Sequence, residues 1–133
     1  MKQIILIFTF ISTVFANNHD YELKLYEKVI SSLLKSDNIS VISDNDLKPI
    51  LEKSNKFTIT NNCKDAKVVI GKEIKEQCKD LPWFATNYKT FKYGNNVIGA
   101  FYWRKGRPQL KLKTQEINKF KLELPKSLEK YAK

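Results

Sequence analysis

The chain has 133 residues, with 24 Lys or Arg against 14 Asp or Glu and a formal net charge of +10. That length is one domain, large enough to bury a single core without metal staples. Twenty-two of the 24 basic residues are lysine, a point charge rather than a bidentate fork, which argues against nucleic acid as a partner and leaves solvated lysine faces, lipid headgroups or an acidic partner.

The first residues, Met1-Lys2-Gln3, give a short positive start, and an apolar run over residues 4–14 ends at Val14-Phe15-Ala16, with small residues at the −3 and −1 positions. This predicts a secretory signal peptide, residues 1–16, cut after Ala16. The run is shorter than the roughly 20 apolar residues that span a bilayer, so a mature chain of residues 17–133 is expected not to be a transmembrane protein. Export places the two cysteines, Cys63 and Cys78, in an oxidising compartment, and an even pair there predicts one disulfide. A spacing of fifteen with no nearby histidine fits neither a CxxC redox motif nor a zinc site.

After a polar and loose 17–20 segment, residues 21–35 place Leu23, Tyr26, Ile30, Leu33 and Leu34 at mostly three- and four-residue spacings, an amphipathic helix with Asp20 as its N-cap. Residues 39–42 read as a strand. The cluster Ser43-Asp44-Asn45-Asp46 then supplies caps for a helix over 46–54, with Pro49 in its first turn. Strands follow at 57–60 and 67–70, then a helix at 72–79 that turns Cys78 inward. A strand at 81–86 precedes a loop at 87–96. Residues 97–113 read as a β-hairpin with Arg104, Lys105, Gly106, Arg107 and Pro108 at its turn. Gly99 removes a side chain where another backbone approaches. Leu110 and Leu112 alternate with Gln109, Lys111 and Lys113, so this strand is an edge with one apolar face. Thr114 caps a helix to about residue 123, and Pro125 opens a last helical piece carrying Leu128 and Tyr131. Strands alternating with helices predict an α/β fold: a small three-layer domain, mostly parallel, with an antiparallel hairpin and helices on both faces.

His19, the only histidine, falls in the loose segment, so no catalytic set built on a histidine base is expected, nor any cofactor or metal site. Two features remain as candidate sites. One is the aromatic and basic surface of Trp83, Tyr88, Phe91, Tyr93, Tyr102, Trp103, Arg104, Lys105 and Arg107, of which Tyr102 to Lys105 and Arg107 form the hairpin tip; Trp, Tyr and Arg together are interface material. The other is the set of polar segments that follow strands, Ser43 and Asp44, Gly71 and Lys72, Thr86 and Asn87, which would line a crevice for a small anionic ligand.

The stretch from Cys63 through Val68-Val69-Ile70-Gly71, then Leu81-Pro82-Trp83-Phe84-Ala85-Thr86, then Val97-Ile98-Gly99 turning at Gly106-Arg107 into Leu110 and Leu112, resembles the YfiR-like family of small periplasmic proteins. The likeness continues through Leu122, Leu124, Leu128 and Ala132. Where that family has a Phe-x-Ile-Asn strand, this chain has Leu110-Lys111-Leu112-Lys113, and the family's paired leucines are Leu128-Glu129. The resemblance implies a periplasmic, non-enzymatic regulator that binds the outer part of a membrane-bound diguanylate cyclase or sensor, with a redox-relevant disulfide. The runner-up is a periplasmic solute sensor using the strand-end crevice.

Overall fold

The computed structural model describes residues 18–133. The predicted leader, its cleavage point and Asn17 lie outside the described residues. Helix α1, Asn18–Leu34, starts earlier than its apolar stripe suggests. His19 and Asp20 are therefore in its first turn, not in a loose tail, and Asp20 sits inside the helix instead of capping it; an acidic side chain there complements the positive end of the helix dipole. Tyr26, Val29, Ile30 and Leu33 make the buried face, and the helix stops before Lys35, which takes a left-handed φ of 50°.

Strand β1, Ile39–Ser43, leads into α2, Lys48–Leu51, a single turn instead of the longer helix predicted. Its start is held by the Asp44 backbone: the Leu47 and Lys48 N–H groups each donate to the Asp44 carbonyl at 3.1 Å. No side chain of the 43–46 cluster caps it, because the Asp44 carboxylate is used elsewhere, at the end of β3. Strands β2, Phe57–Ile59, and β3, Val68–Gly71, follow as expected. The helix predicted over 72–79 is extended at Lys75 and reduces to one 3-10 turn, Glu76–Cys78. Two apolar residues, Ile74 and Cys78, bury too little to offset helix nucleation. Cys78 does point inward, and it is bonded to Cys63 with Cα atoms 5.2 Å apart.

Strand β4 is Trp83–Ala85. The segment read as a loop contains α3, Tyr88–Tyr93, begun by Asn87, whose side chain accepts from the Thr90 N–H at 2.7 Å. The hairpin is β5, Val97–Arg104, and β6, Arg107–Leu112. Its turn is narrower than predicted: only Lys105 and Gly106 form the loop, both with positive φ (52° and 78°), as a two-residue type I′ connection requires. Arg104 and Arg107 are thus facing strand residues, and Pro108 pairs with Trp103 inside β6. Helix α4, Thr114–Lys119, is shorter than expected and uncapped by a side chain. A closing 3-10 segment, Lys126–Tyr131, buries Leu128.

Among the described residues six strands run in the order β2-β1-β3-β4-β5-β6, parallel except for β6. The order reverses at β1, and right-handed crossovers require that reversal to change faces. The packing agrees. Residues of α1, α2, α4 and Leu128 close one core with Val41, Ile70, Phe84, Ile98, Phe101 and Leu112. On the other face, the Cys63 loop, Cys78 and Phe91 of α3 pack with Ile42, Val69, Trp83, Ala100 and Tyr102. The α/β, three-layer expectation is therefore what the chain forms. Between β4 and β5 the register slips: Trp83 pairs with Val97 but Phe84 with Gly99, which leaves Ile98 as the extra residue of a bulge. Gly99 is needed there, since a Cβ would come 2.7 Å from the Lys111 carbonyl oxygen.

Tyr26 lies edge-on to Phe84 and Phe101, at 6.0 and 5.9 Å. Burial first, then the Glu22 and Asp44 carboxylates, hold its phenol above its ordinary range. A raised folded value means the fold accepts the neutral phenol: this contribution is whole below the ordinary value of 10.0 and is lost as the pH climbs toward the raised one. Tyr26→Phe should therefore move the midpoint of alkaline unfolding, followed by circular dichroism, to higher pH. An unmoved midpoint would show that another group controls that transition.

Candidate functional site

The ends of β1 and β3 flank the point where strand order reverses, and an open crevice of about 360 Å³ lies there, lined by Ser43, Asp44, Asp46, Lys72, Glu73 and Lys75 among others. Its centre is a carboxylate. Asp44 Oδ2 accepts from the Lys72 N–H at 2.8 Å, and the Asp44 side chain sits so close to Gly71 that a Cβ on Gly71 would be 2.6 Å from its carboxyl carbon. The Lys72 ammonium is paired in turn with Asp46 at 3.8 Å. Both donors of Lys72 face carboxylates of the protein itself, so an anion entering here meets two negative groups and no free cation from Lys72. Thr86 and Asn87 do not join this crevice. They line a separate cleft of about 420 Å³ at the ends of β4 and β5, with Tyr88, Tyr102, Trp103 and Arg104. Among the described residues no group of three or more His, Cys, Asp or Glu is placed to hold a metal ion.

That second cleft opens onto the hairpin. Trp103 is 38% exposed; its ring lies 6.1 Å from Tyr21 and 5.7 Å from Phe101, and its Nε1–H donates to Glu22 at 3.1 Å. The first turn of α1 is thereby held against the end of β5. On the opposite face, Tyr102 is buried beneath Tyr88, with ring centroids 5.9 Å apart. Trp83 and Phe91 are also buried, so of the aromatics read as surface only Tyr88, Tyr93 and Trp103 are open to solvent. Tyr21 joins them, at 48% exposure.

Charge completes the picture. Residues 81–115, which hold β4, α3, β5 and β6, contain seven Lys or Arg and no Asp or Glu. None of those seven takes part in an ion pair among the described residues. Lys111 Nζ lies 6.0 Å over the Tyr88 ring and Lys113 Nζ 4.9 Å over Phe91, so these ammonium groups rest on aromatic faces, a weakly stabilising contact that leaves them free to meet an anion. Arg104 and Arg107, cross-strand partners, carry the same basic row to the tip, with Lys105 between them. Residue type alone points to the tip and not to Lys111, Lys113, Tyr21 or Glu22 as site residues. The 35-residue acid-free stretch is the signal in the sequence for the lysines. Tyr21 and Glu22 have none, because their contact with Trp103 spans some eighty residues of chain.

Fold and edge together define a disulfide-bridged, doubly wound α/β domain with a basic and aromatic rim along β5 and β6. No protein-family model and no curated protein matches the chain. Among the described residues, no helix is long and apolar enough to cross a membrane.

Proposed function

We propose that the protein is an exported, periplasmic, non-enzymatic binding protein that docks on the outward-facing domain of a membrane-bound signalling protein through its hairpin edge. The single observation behind this reading is the coincidence of exposed Trp103, Tyr21 and Tyr88 with the five hairpin cations Arg104, Lys105, Arg107, Lys111 and Lys113, none of which takes part in an ion pair among the described residues. Aromatic anchors beside arginine are the composition of interface centres, and a one-signed field steers an oppositely charged partner into register. The resemblance to YfiR-like regulators supplies the kind of partner, a membrane-bound cyclase or sensor. The formed disulfide suits an oxidising compartment.

A photo-crosslinking residue in place of Trp103, in cells that export the protein, should yield an adduct with an integral membrane protein. Arg104→Glu combined with Arg107→Glu reverses two exposed strand-end charges and should cut adduct yield by about tenfold or more, while the melting temperature stays where it was. An adduct yield untouched by the double substitution would remove the hairpin tip from the interface.

A further inference from the structure

Strand β6 is open to a new neighbour along one short stretch, and the chemistry of that stretch selects what would fit it. The Lys113 N–H donates to the Ile98 carbonyl at 2.9 Å, so odd-numbered backbone groups along β6 turn toward β5 and even-numbered ones turn away. Of the even positions, the Leu112 carbonyl is already taken by the Lys133 N–H at 3.1 Å, and Pro108 has no N–H to give. Leu110 remains, half-buried as a side chain but with its N–H and carbonyl both directed outward from the sheet. On the odd positions, Lys111 and Lys113 lie over Tyr88 and Phe91 on one face, and Arg107, by the alternation of a strand, shares that face toward the tip.

We propose that this edge receives an extended acidic segment of the partner as an added strand, joined to Leu110 through the backbone and to Arg107, Lys111 and Lys113 through carboxylates. The inference deepens the docking reading and rests on it. Alternate side chains of a strand recur at about 6.6–6.8 Å on one face, so acidic residues at every second position of an extended segment fall opposite the basic row. A second copy of this chain is disfavoured, because pairing β6 with itself would set its cations directly against one another. A helix or a bilayer surface would answer the charges but would leave the Leu110 backbone groups unused.

The test uses residues 17–133 and an eight-residue peptide alternating glutamate and valine, with hydrogen exchange at the Leu110 amide followed by NMR. At saturation the Leu110 amide should exchange about tenfold more slowly, and a lysine–valine peptide should do nothing. Two analogues, N-methylated on every glutamate or on every valine, decide the geometry: one should lose binding and the other keep it, since a strand pairs along one edge only. Equal binding by both would overturn strand addition in favour of charge alone. Slowed exchange with phosphatidylglycerol vesicles but not with the peptide would overturn it in favour of a lipid surface. Lys111→Glu with Lys113→Glu separates this inference from the one beneath it. If the Trp103 adduct persists unchanged in that variant, the docking reading stands and the added strand falls; if no adduct forms even with the unsubstituted protein, the docking reading itself falls.

Discussion

Phe84→Ala should destabilise the domain by about 3–5 kcal/mol. Phe84 is fully buried in β4, hydrogen-bonded between β3 and β5, and its ring packs edge-on against Tyr26. The cavity left by its removal would not close easily. Its neighbour across the sheet is Gly99, which has no side chain to lean in, and a side chain cannot be added there because the Lys111 carbonyl blocks it. A domain of this size is held by about 5–15 kcal/mol in all, so the variant should sit near its unfolding transition at 37 °C. Urea denaturation is the measurement: the midpoint should fall sharply with the slope nearly unchanged. A loss below about 1 kcal/mol would mean that the core repacks freely and that the bulge at Ile98 is not the rigid feature its geometry implies.

The same bulge shows where the sequence was legible. Val97, Ile98, Phe101, Tyr102 and Trp103 announce a strand by residue type, and Leu110 and Leu112 announce an edge by alternation. Gly99 announces a close approach, which is what the Lys111 backbone makes. What residue type does not reveal is that Phe84 skips Ile98 to pair with Gly99, because a register slip depends on the neighbouring strand. Short elements failed for a related reason. Residues 88–93 have no apolar stripe beyond Phe91, so α3 is set by the Asn87 cap and the tertiary burial of one ring. Conversely, residues 72–79 have helical composition without enough apolar area to hold a helix.

The candidate sites divide along similar lines. Ser43, Asp44, Gly71 and Lys72 lie at strand ends as a crevice requires, but Asp44 turns across to Lys72 and fills the space beside Gly71. Trp103 and the arginines are exposed, as residue type suggests, whereas the brace that Tyr21 and Glu22 give Trp103 leaves no local pattern. A local pattern cannot register a partner that lies on another element. Charge distribution, unlike side-chain pairing, survives without coordinates. An acid-free span of this length stands out in the sequence, and the fold adds that five of its seven cations follow the hairpin edge while Lys89 and Lys92 sit on α3.

Replacing both cysteines, Cys63→Ser with Cys78→Ser, should cost about 3 kcal/mol, the loop-closure entropy restored to an unfolded chain when a 15-residue link is cut. For a domain of this length that corresponds to a fall in melting temperature of roughly 10–15 °C. The location makes the full effect reasonable. The bridge ties the crossover from β2 to β3 onto the 3-10 turn before β4, on the face of the sheet where, among the described residues, α3 is the one α-helix. Calorimetry of the variant beside the native protein, with and without reductant, measures it. Reductant should bring the native protein to the variant's melting temperature and leave the variant where it is. Because Cys63 and Cys78 stand by β3 and β4 while the basic rim follows β5 and β6, the folded variant should still give the Trp103 adduct. A melting temperature within about 2 °C of native would mean that the loop is already held by its packing against Val69 and Trp83, and that the covalent link adds nothing to a cover the apolar contacts have made.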